Sequence, residues 1–226
     1  MTGVGHYCDA GVVTSTDCYM NFNWIAPVYD LLAFLVFGRQ LDRAQTTFLP
    51  QILPDSSVLI VGGGTGRLLE QVLTTCQPKQ VLYLEASAQM VALSSQRIIR
   101  HAVVGSVEFR VGDETLLKPD EHFDVIVTPF VLDLYTAKTL QTSFIPALRS
   151  RLKHGGLWLV TDFIQPQIGW QKALLWTMIR FFRLTAGIEI HQLPDWQWCL
   201  REAGLTLQEG ERRVGGMVAT EVWRVE

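Results

Sequence analysis

Between Val58 and Val72 the chain reads VLIVGGGTGRLLEQV, an uninterrupted apolar run, four glycines within five positions, and then a segment of helical period. A strand that is apolar at every position must be covered on both faces, and that coverage is the mark of a parallel sheet layered by helices. A glycine-rich turn from such a strand into a helix lets the backbone bend sharply and come close to a ligand. The first turn of the helix then offers unpaired amides. The rest of the chain repeats the alternation. Apolar runs at 58–61, 81–84, 107–110, 123–127 and 157–163 predict five strands, and helical patterns at 66–76, 87–101 (Ser87 as N-cap) and 136–153 lie between them. Pro146 inside the last of these predicts a kink or two shorter pieces.

After the fifth strand two helical stretches, 170–184 and 195–203, precede two alternating runs separated by Gly215 and Gly216, which predict an antiparallel hairpin at the sheet edge. The expected fold class is therefore α/β, a doubly wound, Rossmann-like, mostly parallel sheet with a C-terminal antiparallel hairpin. Residues 1–22 are expected to be poorly ordered, 23–226 to form one domain, and 164–194 to form a helical lid or insertion within it.

Composition narrows the function classes. The 226 residues are 48% hydrophobic and carry a formal charge of −3, with no Lys or Arg before Arg39. A chain of that balance has no basic footprint for nucleic acid. No apolar stretch is long enough to span a bilayer and no secretory leader is evident, so the expected location is the cytoplasm. Cys8, Cys18, Cys76 and Cys199 are far apart and the five histidines lack metal-ligand spacing, so reduced thiols and no metal are expected.

Candidate site residues cluster at the ends of successive strands, where open α/β sheets bind ligands. They are Gly62, Gly63, Gly64, Thr65 and Gly66 after the first strand, and Glu85, an acceptor for vicinal ribose hydroxyls, after the second. Asp113 and Glu114, acceptors for an adenine amine, follow the third. A nicotinamide-dependent oxidoreductase would use the first two groups in the same way, but its GxGxxG fingerprint requires a glycine where this chain has Arg67.

On VLIVGGGTG, LEASAQM, VGDETLL, FDVIVTPFVLDLY and LRSRLKHGGLWLVTDF, the chain from about residue 23 onward resembles the class I S-adenosylmethionine-dependent methyltransferases. The resemblance implies a seven-stranded sheet, S-adenosylmethionine as cofactor with S-adenosylhomocysteine as its product, and a small, apolar or aromatic acceptor. The implied cofactor-binding set is Tyr29, Gly62, Gly63, Gly64, Thr65, Gly66, Glu85, Ala86, Met90, Asp113, Glu114, Thr128 and Phe130. The segment Thr128–Asp133 is implied to face the reacting methyl group. APVYDLLAFLVFG and the C-terminal WCLREAGLTLQEGERRVGGMVATEVWRV further resemble the quinone-biosynthesis type, in which a Tyr-Asp pair, here Tyr29 and Asp30, helps close the cofactor site.

Members of the family often carry an acid where this chain has Ile60. That departure keeps open a non-catalytic module that binds an adenosyl ligand, beside the enzyme and the oxidoreductase. Methyl transfer is an in-line displacement that needs alignment rather than a protein nucleophile. A base would help with an acidic acceptor, and the candidates are Asp133, Tyr29, Tyr135 and His191, with Asp133 and Tyr29 preferred. The aromatic and basic segment WQKALLWTMIRFFRL reads as a core, interface or lid helix, and it leaves peripheral membrane contact open. The protein is expected to be a monomer or a homodimer.

Overall fold

The computed structural model describes residues 38–166, 168–186 and 192–225. Expectations for residues 1–22, Tyr29, Asp30 and His191 lie outside the described residues.

Helix α1 (Gln40–Thr46) leads into β1 (Ser57–Val61), α2 (Arg67–Cys76), β2 (Gln80–Glu85), α3 (Ala88–Arg100), β3 (Val107–Val111) and β4 (Phe123–Pro129). Short helices α4 (Ala137–Thr139) and α5 (Ile145–Arg149) precede β5 (Leu152–Phe163). Then come α6 (Gly169–Ala186), α7 (Trp196–Glu202), β6 (Leu205–Arg213) and β7 (Val218–Val225). The strands form one seven-stranded sheet in the order β3-β2-β1-β4-β5-β7-β6. Pairings from β3 through β5 are parallel, whereas β7 runs antiparallel between β5 and β6. The order reverses between β1 and β4, so the switch-point crevice opens at the carboxyl ends of those two strands.

Alternation along the strands sends side chains to two separate cores. Leu59, Val61, Leu82, Leu84, Ile126 and Trp158 pack on one face with Phe144 and Leu148 from the α4–α5 region and Trp196 and Leu200 from α7. Val58, Ile60, Val81, Tyr83, Val125 and Val127 pack on the other with Leu69, Val72 and Leu73 of α2. This double coverage is why the strands read as continuous apolar runs.

Several local expectations meet their structural reasons here. Ser87 caps α3 by accepting a hydrogen bond from the Met90 amide at 3.2 Å. The helical pattern over 136–153, expected to kink or break at Pro146, is α4, a π-helical Leu140–Phe144 and α5, and β5 already begins at Leu152. Pro146 lies in the first turn of α5, where its missing amide is harmless, and the π-helical turn before it relieves the clash a proline ring makes with the preceding turn. The hairpin is present, but only β6 is at the edge, and the turn between its strands spans Val214–Gly216.

Candidate functional site

The glycine loop is held from beneath by β2. Tyr83 and Glu85 are two residues apart and so share a face of the strand, and both reach the loop. The Tyr83 hydroxyl donates to the Gly64 carbonyl at 2.7 Å, and Glu85 Oε2 accepts from the Gly64 amide at 3.0 Å. Glu85 Oε1 accepts from the Ser87 amide at 3.1 Å, tying the loop to the start of α3. From α3, Arg97 donates Nε to the Thr65 carbonyl at 3.0 Å. Thr65 and Met90 are themselves buried, and Ala86 is exposed.

Two of the glycines are required for opposite reasons. A Cβ on Gly63 would lie 2.4 Å from the Tyr83 ring, so this glycine admits the protein's own aromatic side chain. Gly64 has φ +63° and, among the described residues, nothing within 4 Å of an added Cβ, so its left-handed backbone is open on that side. The sequence expectation that the glycines clear room for a ligand therefore applies to Gly64; Gly62 and Gly66 are closed in by Val131 and Ser94. Replacing Tyr83 by Phe should remove the anchor while keeping the ring. We expect a loss of about 1 kcal/mol and a midpoint about 2–4 °C lower in thermal unfolding, and an unchanged midpoint would show that the hydroxyl does not hold the loop.

Glu85 is buried, and burial pushes its carboxyl up against the opposing pull of the Ser87, Gly64 and Ala86 amides. Across the crevice, Asp113 caps the short helix Glu114–Leu116 by accepting from the Thr115 amide at 3.0 Å. Glu114 is buried and turned toward Ser143, whose hydroxyl lies 3.4 Å from Oε1, and burial together with Asp113 raises its carboxyl. Tyr135 stacks on Phe144 with ring centroids 4.6 Å apart. Burial, reinforced by Glu114, Asp113 and Glu85, raises the Tyr135 phenol well above its usual range. A phenol raised in this way stays protonated at neutral pH.

The end of β4 is shaped by an acid that the sequence reading missed. Asp162, fully buried near the end of β5, accepts at Oδ2 from the amides of Val131, Leu132 and Asp133 at 3.1, 2.8 and 3.3 Å, and at Oδ1 from the Phe163 amide at 2.7 Å. Asp133 bonds to it side chain to side chain, and its own Oδ1 is buried with no hydrogen-bond partner among the described residues. Burial pushes both carboxyls up, Asp133 to about 7. Four amide donors favour the negative charge on Asp162, and the bond from Asp162 opposes the effect of burial on Asp133. Asp133 lies in the short helix Leu132–Leu134 rather than at the start of the helix near Thr136, which is capped by Thr136 itself. Phe130 adopts φ +55°, a conformation unusual for a bulky residue, and its ring lies 5.3 Å from that of Phe163. Thr128 is fully buried and accepts from the Trp158 indole at 3.0 Å, so it supports β4 from within and presents no surface to the crevice.

Thus the glycine loop, Glu85, Asp113, the Asp133–Asp162 pair and Phe130 come from the carboxyl ends of β1, β2, β3, β5 and β4 or the segments that follow them. The family described as a methyltransferase domain matches residues 58–156, a span that takes in β1 through the first part of β5. Over that span the chain is similar to methyltransferase domains. A ubiquinone/menaquinone biosynthesis C-methyltransferase of Ectopseudomonas mendocina is 33% identical over 152 residues, covering 64% of this chain and 57% of the relative. The chain thus spans little more than half the length of that relative.

The fold of the chain recurs in solved structures. The N-methyltransferase NodS of Bradyrhizobium japonicum, in complex with S-adenosylhomocysteine, superposes with a TM-score of 0.60 at 16% identity over 82% of this chain and 84% of its own. The mitomycin 7-O-methyltransferase MmcR gives 0.69 at 15% identity over 95% and 62%. Among the described residues of the domain and its flanks, no helix is long and apolar enough to cross a membrane.

Proposed function

We propose that the chain transfers a methyl group from S-adenosylmethionine to a small, apolar or aromatic acceptor. The observation that carries this reading is Gly64, whose open side lies beside a buried glutamate already bonded to its amide. A carboxylate has about four lone-pair sites. The Gly64, Ser87 and Ala86 amides draw on three of those on Glu85, and what remains fits a ribose hydroxyl. Asp113 keeps Oδ2 for an exocyclic amine while Oδ1 holds its own turn. The residues present therefore fit the adenosyl group, which when bound supplies an electrophilic methyl carbon on a sulfonium.

Ile60 does not argue against this reading. It pairs with Tyr83 in register and fills the core beneath α2, and Tyr83 and Glu85 anchor the loop from the neighbouring strand. The chain's own residues then orient and desolvate the reactants. Phe130 and the apolar residues around it exclude water, and Asp133 Oδ1 accepts the proton of an acidic acceptor once Asp133 is ionised. The relative's name favours carbon as the accepting atom. Tyr29, outside the described residues, keeps its proposed role at the cofactor by resemblance.

Thermal unfolding with S-adenosylmethionine, S-adenosylhomocysteine or NAD tests the cofactor. Each adenosyl ligand at about 100 times its dissociation constant should add about 2.7 kcal/mol and raise the midpoint by several degrees, with no shift from NAD. A shift with NAD alone would replace the methyltransferase reading by the oxidoreductase one. If the adenosyl ligands bind, transfer of labelled methyl to a metabolite extract separates an enzyme from a binding module.

A further inference from the structure

Helix α6 has two faces of different chemistry. Inward, Leu175, Leu174, Met178 and Ile179 pack with Phe163, Met217 and Val218, and the buried Gln171 donates Nε2 to the Gly215 carbonyl at 2.8 Å. These contacts fix the helix to the hairpin turn and determine which side faces out. Outward lie Trp170 and Trp176, 59% and 62% exposed, with exposed Lys172, Ala173, Thr177 and Arg180 at helical spacing between and beyond them. The Arg180 guanidinium sits 5.4 Å from the centre of the Trp176 ring.

The charge on this helix opposes that of the chain. The molecule has a net charge of −3, yet no Asp or Glu occurs between Asp162 and Glu189, while α6 carries Lys172, Arg180 and Arg183. Two exposed indoles among cations, with no acid on the helix, match the boundary layer of an anionic bilayer. There an indole is amphipathic enough to settle at the headgroups, and basic side chains meet lipid phosphate. A two-fold contact with a second copy through this face would set the cations of one helix against those of the other. We propose that the outer face of α6 docks on an anionic lipid surface, with Trp170 and Trp176 entering the headgroup boundary and Lys172 and Arg180 held at the lipid phosphates. The helix would lie along the surface rather than cross it. Docking of this kind is independent of methyl transfer.

The test is flotation of the full chain with vesicles of phosphatidylcholine alone or with about one third phosphatidylglycerol, with indole emission recorded in parallel. The chain should float with the anionic vesicles at least about tenfold more than with the neutral ones, with a blue shift in emission, and salt near 1 M should release it. W170A/W176A should lose the blue shift and most of the flotation. K172E/R180E keeps both indoles, should lose the preference for anionic vesicles, and reads the charges alone. Thermal unfolding of both variants establishes that they are folded. Absence of flotation, equal flotation on both vesicles, or variants that float like the parent would overturn the proposal. A dimer in sedimentation that is lost with the two indoles, without flotation, would assign the face to a second copy and equally overturn it.

Discussion

Replacing Asp133 by Asn should make the protein more stable above pH 7 and at least about a hundredfold slower in methyl transfer. The stability half follows from the buried pair. Asp133 is raised to about 7 in the folded protein, against about 3.9 for an unperturbed aspartate, so the folded state retains a proton that the unfolded state has released. Its contribution is therefore fully present below about pH 4 and is lost as pH rises through about 7. An asparagine keeps a donor toward Asp162 and has no proton to lose. Melting curves of the two proteins should nearly coincide near pH 4 and be separated by about 2 kcal/mol at pH 5.5 and about 4 kcal/mol at pH 8.5, with the variant higher by several degrees. The activity half has the opposite sign, since only the ionised form accepts a proton. Parent activity should rise through about pH 7 and the variant should lack that limb at unchanged cofactor affinity. A variant that is stabilised yet keeps activity within about threefold would leave the pair a structural clamp and remove Asp133 from the chemistry.

Glu85→Ala should weaken S-adenosylhomocysteine binding by well over tenfold, measured by calorimetric titration. Two losses combine: the acceptors for the ribose hydroxyls, and the tie between the Gly64 amide and the Ser87 amide that sets the shape of the loop. Tyr83→Phe separates them, because it relaxes the loop at the Gly64 carbonyl without touching an acceptor for the ribose. A Glu85→Ala variant that binds no worse than Tyr83→Phe would mean that the carboxylate serves the loop alone.

The continuous apolar strands and the glycine turn made the sheet legible, because a strand buried on both faces has only one compositional form. The edges of elements were less legible where side chains intervene. The break before Pro146 was expected, but its form, a π-helical turn, depends on how Leu140 and Phe144 pack inward. In the site, Glu85 and Asp113 stood out as acids at strand ends. Tyr83 and Asp162 did not, although each is a polar residue inside an apolar run, VLYLE and WLVTDF, and that inconsistency is itself a signal. What no single sequence can show is pairing. That Asp162 gathers the amides after β4, and that Tyr83, beside Ile60, holds the Gly64 carbonyl, arise only when strands far apart in the chain are laid side by side.

The position of β7 bears on how the chain is made. This strand is the last of the seven in sequence, yet it lies inside the sheet, hydrogen-bonded to β5 on one side and β6 on the other. During synthesis β5 must therefore wait with one edge unpaired while α6, α7 and β6 emerge. The half of the sheet formed by β1 to β4 can collapse locally well before then. Until β7 arrives, Trp158 and Val160 lack the cross-strand neighbours Trp223 and Glu221, and the nascent chain presents an open, apolar strand edge of the kind that recruits strands from other molecules. Closure of the sheet is thus a late, long-range event, and a ribosome that stalls before residue 218 leaves a product with its first four strands built and its aggregation-prone edge exposed.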